Sequence, residues 1–224
     1  NTYDQEYPTI GVPVLTLADY TFAPQTATNP ISDRNEYLKC FSNISGATYK
    51  VTLAVDQPVP NTRKKFKLGG GGQACDVGHT FLILEQNVNG VKTTRSIGWY
   101  PSVSATPFKP TVVGVLNNDQ GHGYSVALVN NISGTDFMDI INAIKSDNNS
   151  LYDLNTYNCT NWAYSKVFMH PMDNIDATYG CWPLGYGMNP GDLGQDIRPG
   201  HINLYTYQSI TTNGNAPSNE GSCP

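Results

Sequence analysis

Charged residues are scarce in this chain. Asp, Glu, Lys and Arg make up 14% of its 224 residues, and 18 acids against 13 bases leave a net charge of −5. A nucleic-acid binder that tracks phosphates needs many more cations on one face, so that class is excluded. The one basic cluster, RKKFK at residues 63–67, adjoins GGGG at residues 69–72 and reads as a solvated loop. Those glycines lack the Lys-Ser/Thr and the strand-to-helix setting of a phosphate loop. Also missing is any run of about 18 apolar residues, which removes a membrane-spanning helix. No Cys/His spacing matches a zinc motif, and neither a metal nor a cofactor is expected. There is no internal repeat.

What is present points to a β-rich, loop-rich domain. Apolar residues make up 39% of the chain and aromatics 11%, with 21 Gly, 15 Pro and 14 Tyr. That is enough for one sizeable core and too much for a disordered chain. The sequence starts at Asn1 without a Met, which reads as a chain trimmed of an export signal and so secreted, periplasmic or on the cell surface. Five cysteines are an odd number: Cys40, Cys75, Cys159, Cys181 and Cys223. Pairing in sequence order gives Cys40–Cys75 and Cys181–Cys223 and leaves Cys159 unbridged. Each such loop is worth roughly 3–4 kcal/mol in the chain-entropy model. In a reducing compartment all five are thiols.

The hydrophobic pattern predicts an α+β fold, an antiparallel sheet packed on helices. Residues 1–35 read as an extended arm with a short strand at GVPVLTL, residues 36–210 as the domain, and residues 211–224 as a polar tail. Tyr49, Val51, Leu53 and Val55 alternate with polar or small residues, the period of a half-buried strand. In the next strand His79, Phe81, Ile83 and Glu85 share one face, and Thr80, Leu82 and Leu84 the other. NVNG at 87–90 turns it into a hairpin partner ending at Pro101. GYSVALVN at 123–130 is another strand, and HINLYTYQSI at 201–210 a last one. Phe137, Ile140, Ile141 and Ile144 have helical spacing behind Ser133 or Thr135 as cap. The stretch 172–200 reads as loop, and Trp162 and Phe168 as core.

The informative stretch is YNCTNW at 157–162. Asn158 is a good N-cap, which puts Cys159 in the first helical turn. There the unpaired N–H groups and the positive end of the helix dipole stabilise a thiolate and can receive an oxyanion. An imidazole beside it completes a nucleophile–base pair. Of the four histidines, His170 lies about 16 Å down the same helix at ~1.5 Å per residue, too far to serve. His201 opens the last strand and His122 sits in a QGHGY loop. His79 stands at the mouth of a core strand, where packing fixes its position.

GHTFLILE at 78–85, the strand after it, and YDLNTYNCTNWA at 152–163 resemble the circularly permuted papain-like superfamily. In those proteins a His on an early strand precedes a Cys at a helix start. NlpC-type amidases, lecithin retinol acyltransferase-like proteins and PPPDE peptidases share the plan. VDQP, GHTFLILEQ, GWYP and YDLNTYNCTNWA in this order also resemble a family of exported bacterial proteins. The likeness covers about residues 40–170. It implies Cys159 as nucleophile and His79 as base of a cysteine hydrolase of amide bonds, a peptidase or amidase acting on a peptide or a cell-wall peptide. A thiol acyltransferase or thioesterase is the nearest variant.

The plan often places a third polar residue on the strand after the His strand, to orient the imidazole. Here that strand offers Arg95 and Ser96, with Thr93 and Thr94 further back, and none is His, Asn, Gln or Asp. A simple dyad, or a third group from Ser96, Asp76, Glu85 or His122, are the options. Trp99 and Tyr100 are expected to wall the cleft, and Tyr157 and Asn158 to contribute just before the nucleophile. Against this stand plainer readings: Cys159 as a buried small hydrophobe or bridge partner, His79 as a structural residue, or a metal held with His122 and Cys159. The alternative function class is a non-catalytic exported binding module presenting Trp99, Tyr100, Trp182 and Tyr186.

Overall fold

The computed structural model describes residues 22–68, 75–168 and 172–221. The protein is α+β. Strands β1 (Thr48–Asp56), β2 (His79–Val88), β3 (Val91–Pro101), β4 (Thr111–Asn118), β5 (Gly123–Ile132), β6 (Leu151–Asp153) and β9 (Gln208–Asn215) form one sheet. Its order is β6-β4-β3-β2-β1-β5-β9, and every adjacent pair is antiparallel. A hairpin of β7 (Gly180–Trp182) and β8 (Gly185–Gly187) stands apart. The helices are α1 (Arg34–Tyr37), α2 (Gly134–Lys145), α3 (Cys159–Val167) and α4 (Pro190–Asp196).

Period-two alternation sorts the strands between two faces. Tyr49, Val51, Leu53, Val55, Leu82, Leu84, Ile97 and Trp99 join the main core, where α2, α3 and α4 bring Phe137, Ile140, Ile141, Ile144, Trp162, Ala163, Val167, Leu193 and Ile197. Phe81 and Ile83 face the other way, onto Ala54, Ala127 and Ala216. The β2–β3 turn uses Asn89 and Gly90, both at positive φ, as a two-residue hairpin requires. Ser133 caps α2 by accepting from the Asp136 N–H.

Several expectations are corrected. Cys40 is disulfide-bonded, while Cys75, Cys159 and Cys181 are free. Neither the Cys40–Cys75 nor the Cys181–Cys223 bridge therefore forms, and Cys223 lies outside the described residues, as do GVPVLTL, GGGG and His170. The RKKFK segment is not simply solvated. Arg63 and Lys65 turn inward onto carboxylates of α4: Arg63 reaches Asp196 at 2.8 Å and Lys65 reaches Asp192 at 2.9 Å. Both acids are buried, and a buried carboxylate without a cation is costly. Phe168 is 38% exposed rather than core. The stretch read as loop at 172–200 holds β7, β8 and α4, and the last strand starts at Gln208, taking in residues 211–215.

Phe137 is fully buried, edge-on to Phe41 at 5.2 Å and tilted against Tyr49 at 5.1 Å. Phe137→Ala is expected to cost about 3–5 kcal/mol. In urea unfolding this reads as a lower midpoint with an unchanged slope.

Candidate active site

Local chain chemistry fixes Cys159. The Asn158 side-chain oxygen accepts from the Thr160 N–H at 2.9 Å and the Asn161 N–H at 3.2 Å. The Asn161 side chain accepts in turn from the Asn158 N–H at 3.3 Å, closing a reciprocal cap. Asn158 Nδ2 donates to the carbonyls of Leu154 and Met188. One hydroxyl pair, Thr80 and Thr160 at 3.0 Å, ties the helix start to β2. Cys159 is thus held in the first turn of α3, 4% exposed.

His79 opens β2 and faces that sulfur. Its Nε2 lies 3.1 Å from Asp119 Oδ2, which leaves Nδ1 for Cys159. Asp119 follows the end of β4, two strands away across β3. Strands lie ~4.8 Å apart, so the contact spans about 10 Å of sheet. It is possible because the intervening residue on that face is Gly98. A Cβ there would collide with Asp119 Oδ2 and lie 2.6 Å from His79 Nε2. Asp119 is itself anchored. Its Oδ1 accepts from Tyr100 Oη at 2.9 Å and from Asn117 Nδ2 at 2.8 Å, and its N–H donates to the Ser96 carbonyl at 3.1 Å.

The ionisation of these groups follows from the packing. Burial works against an imidazolium at His79, but the Asp119 charge and hydrogen bond, with a smaller contribution from Cys159, raise it to about 10. Burial opposes a thiolate at Cys159, yet the His79 hydrogen bond and charge, the Thr80 amide and the Thr160 hydroxyl bring it below the ordinary thiol value. Asp119 is also lowered despite burial, chiefly by His79. All three shifts run in the direction that favours a thiolate, an imidazolium and a carboxylate in one chain. Tyr152, on β6, completes the site. Burial first and then the Cys159 charge push its hydroxyl well above the ordinary phenol range. It therefore stays protonated, within hydrogen-bonding reach of both the Cys159 thiol and N–H.

The sequence-predicted residues divide clearly. Cys159, His79, Asn158 and Tyr100 come together. Asp76 lies at the cleft mouth, accepting from the Gly78 N–H at 2.8 Å. His122 lies edge-on to His79, ring centres 5.1 Å apart, with Nε2 3.8 Å from Asp56. Trp99 lines the cleft beside Tyr100. Glu85 is at the far end of β2, paired with Lys50 and Lys92 at 2.5 and 2.8 Å, too remote to orient His79. Ser96 acts through its backbone carbonyl, and Tyr157 donates to Asp147 at 2.8 Å, away from the sulfur. Among the described residues, no three His, Cys, Asp or Glu side chains are placed to hold a metal ion. Asp119 and Tyr152 are the residues that sequence reasoning missed.

The thiol lies between two recesses. One is polar, lined by Asp56, Asp76, His79 and His122; the other is apolar, lined by Val77, Leu154, Trp182 and Met188. The segment 22–25 borders both, Phe22 on the apolar side and Pro24 and Gln25 on the polar side. Comparison with family models, with curated proteins and with solved structures gave no significant match.

The sign of the pH dependence is fixed by these shifts. The lowered Cys159 keeps its thiolate until pH falls through that lowered value, and the raised His79 keeps its proton until pH rises through about 10. Iodoacetamide alkylation of Cys159 is therefore expected to rise with pH at a value below that of an ordinary thiol. In His79→Ala it should climb with pH towards or beyond the ordinary thiol value. Gly98→Ala, which pushes Asp119 and His79 apart, should shift the profile the same way. Rate–pH curves followed by mass spectrometry check both.

Proposed function

We propose that the protein is a cysteine hydrolase of amide bonds, with the permuted papain-like arrangement in which the His strand precedes the Cys helix. The observation that carries this reading is the position of His79 between the Cys159 sulfur and the Asp119 carboxylate. A merely structural histidine does not need a nucleophile on one nitrogen and a buried carboxylate on the other. The disulfide at Cys40 supports an exported chain, since such bonds persist in oxidising compartments, and a peptide or cell-wall peptide is the substrate in keeping with that location.

The chemistry follows from the geometry. Cys159 Sγ attacks the amide carbonyl carbon, forming a C–S bond and moving the C=O π electrons onto oxygen. The Tyr152 hydroxyl and the Cys159 N–H, which the Asn158 cap leaves unengaged, stabilise that oxyanion, a role in which preorganised donors are most effective. As the tetrahedral intermediate collapses, the C–N bond breaks and the His79 proton goes to the departing amine. Asp119 holds the ring in place and favours its charged form. His79, now neutral, takes a proton from water. The new hydroxide attacks the thioester, a C–O bond forms, the C–S bond breaks, and the thiolate is restored.

Incubated with a library of N-acetylated peptides, the wild type is expected to release new amino termini. Cys159→Ala should release none, and Tyr152→Phe should lower kcat by about 10²–10³-fold. Mass spectrometry also reports a thioester adduct on Cys159 during turnover. Release that survives Cys159→Ala would remove the hydrolase reading, and a chain with slow, His79-independent thiol labelling and no turnover would be a binding module.

A further inference from the structure

The apolar recess beside Cys159 carries an inference about the substrate, which rests on the acyl-transfer reading above. His79 delivers the proton that frees the amine, so the leaving component must lie on the His79 side of the sulfur. That side is the polar recess, with Asp56, Asp76 and His122. The acyl component therefore extends to the opposite side, where Cys159 and Tyr152 border a recess that does not contain His79. Its apolar walls are Phe22, Val77, Leu154, Trp182, Met188 and Pro190, and the recess is open to solvent.

Apart from the Tyr152 hydroxyl beside the sulfur, the polar side chains in these walls are bonded elsewhere or, like the unpartnered Trp182 Nε1, buried away from the recess surface. Lys65 Nζ is bound to Asp192 at 2.9 Å and to the Arg63 carbonyl at 2.8 Å. Asn158 Nδ2 is bound to two carbonyls while its oxygen caps α3. Asn189 caps α4 through its oxygen and gives its Nδ2 to Asp192 at 2.7 Å. A polar group entering the recess would lose its water and find these partners taken, whereas an apolar group gains from burial. Met188, with its adaptable thioether, suits a wall that moulds to an apolar guest.

We propose that this recess is the acyl-side specificity subsite. It takes a large apolar side chain within two residues of the attacked carbonyl, so that cleavage follows an apolar residue.

Five chloromethyl ketones test it: acetyl-Gly-Gly, acetyl-Phe-Gly, acetyl-Gly-Phe, acetyl-Asp-Gly and acetyl-Gly-Asp. Each alkylates Cys159 with loss of chloride, and each rate is divided by the iodoacetamide rate of the same protein. One Phe reagent is expected to react at least about tenfold faster than the Gly-Gly reagent, the scale on which apolar pockets discriminate, with neither Asp reagent accelerated. Val77→Asp, which charges the wall, and Val77→Trp, which fills the space, should each bring that ratio down towards one. Equal rates for all five, or a preference for Asp, alongside fast and His79-dependent iodoacetamide labelling, overturns the subsite and leaves the Cys–His pair standing. Slow labelling indifferent to His79→Ala overturns the pair and the subsite with it.

Discussion

The contact between His79 and Asp119 is the constraint on which the site depends. Two groups two strands apart meet because the strand between them carries no side chain at Gly98. Remove that gap and the imidazole loses the carboxylate that keeps it protonated. The Cys159 thiolate then loses its counter-ion. Everything else around the site maintains this arrangement: Tyr100 and Asn117 hold Asp119, and the Asn158 cap holds the helix that carries the sulfur.

The arrangement is a buried chain of ionisable groups, and such chains are expensive when charged. Taking a thiolate, an imidazolium and a carboxylate out of water costs free energy that only close mutual contact offsets. His79 stands on β2 and Cys159 on the first turn of α3, while Asp119, just past β4, is tied back to β3 through its N–H to the Ser96 carbonyl. Rigid support of this kind suits a site whose groups must stay aligned through attack and proton transfer. The second buried charge cluster, Arg63 and Lys65 on Asp192 and Asp196, does a different job. It fastens the 59–68 segment against α4 and so backs the apolar recess beside the thiol.

Local features were legible in the sequence. Period-two alternation located β1 and β2, helical spacing located α2, and the Asn158 cap placed Cys159 at the start of α3. His79 and Cys159 were readable as candidates because each sits at a locally recognisable boundary. Asp119 and Tyr152 were not. Asp119 lies in a turn, NNDQGHG, whose only visible character is that of a loop, and its partner is 40 residues away. The signal that could have found it is Gly98, a glycine inside a strand between Ile97 and Trp99, which marks close approach by another group. Cysteine pairing failed for the same reason. Sequence order says nothing about which cysteines fold together, and Cys40 sits beside Arg95 and the 220–221 segment, not beside Cys75. The basic cluster misled because charge runs are usually solvated, and only tertiary packing reveals buried acids such as Asp192.

The central claim is that His79 is an imidazolium at neutral pH, held so by Asp119 and paired with the Cys159 thiolate. Nitrogen NMR of the His79 ring tests it most directly. The account predicts that both ring nitrogens are protonated at neutral pH and remain so until pH approaches about 10, and that Asp119→Asn lowers this value. A His79 ring that is neutral at pH 7 and titrates at or below the ordinary imidazole value would contradict it.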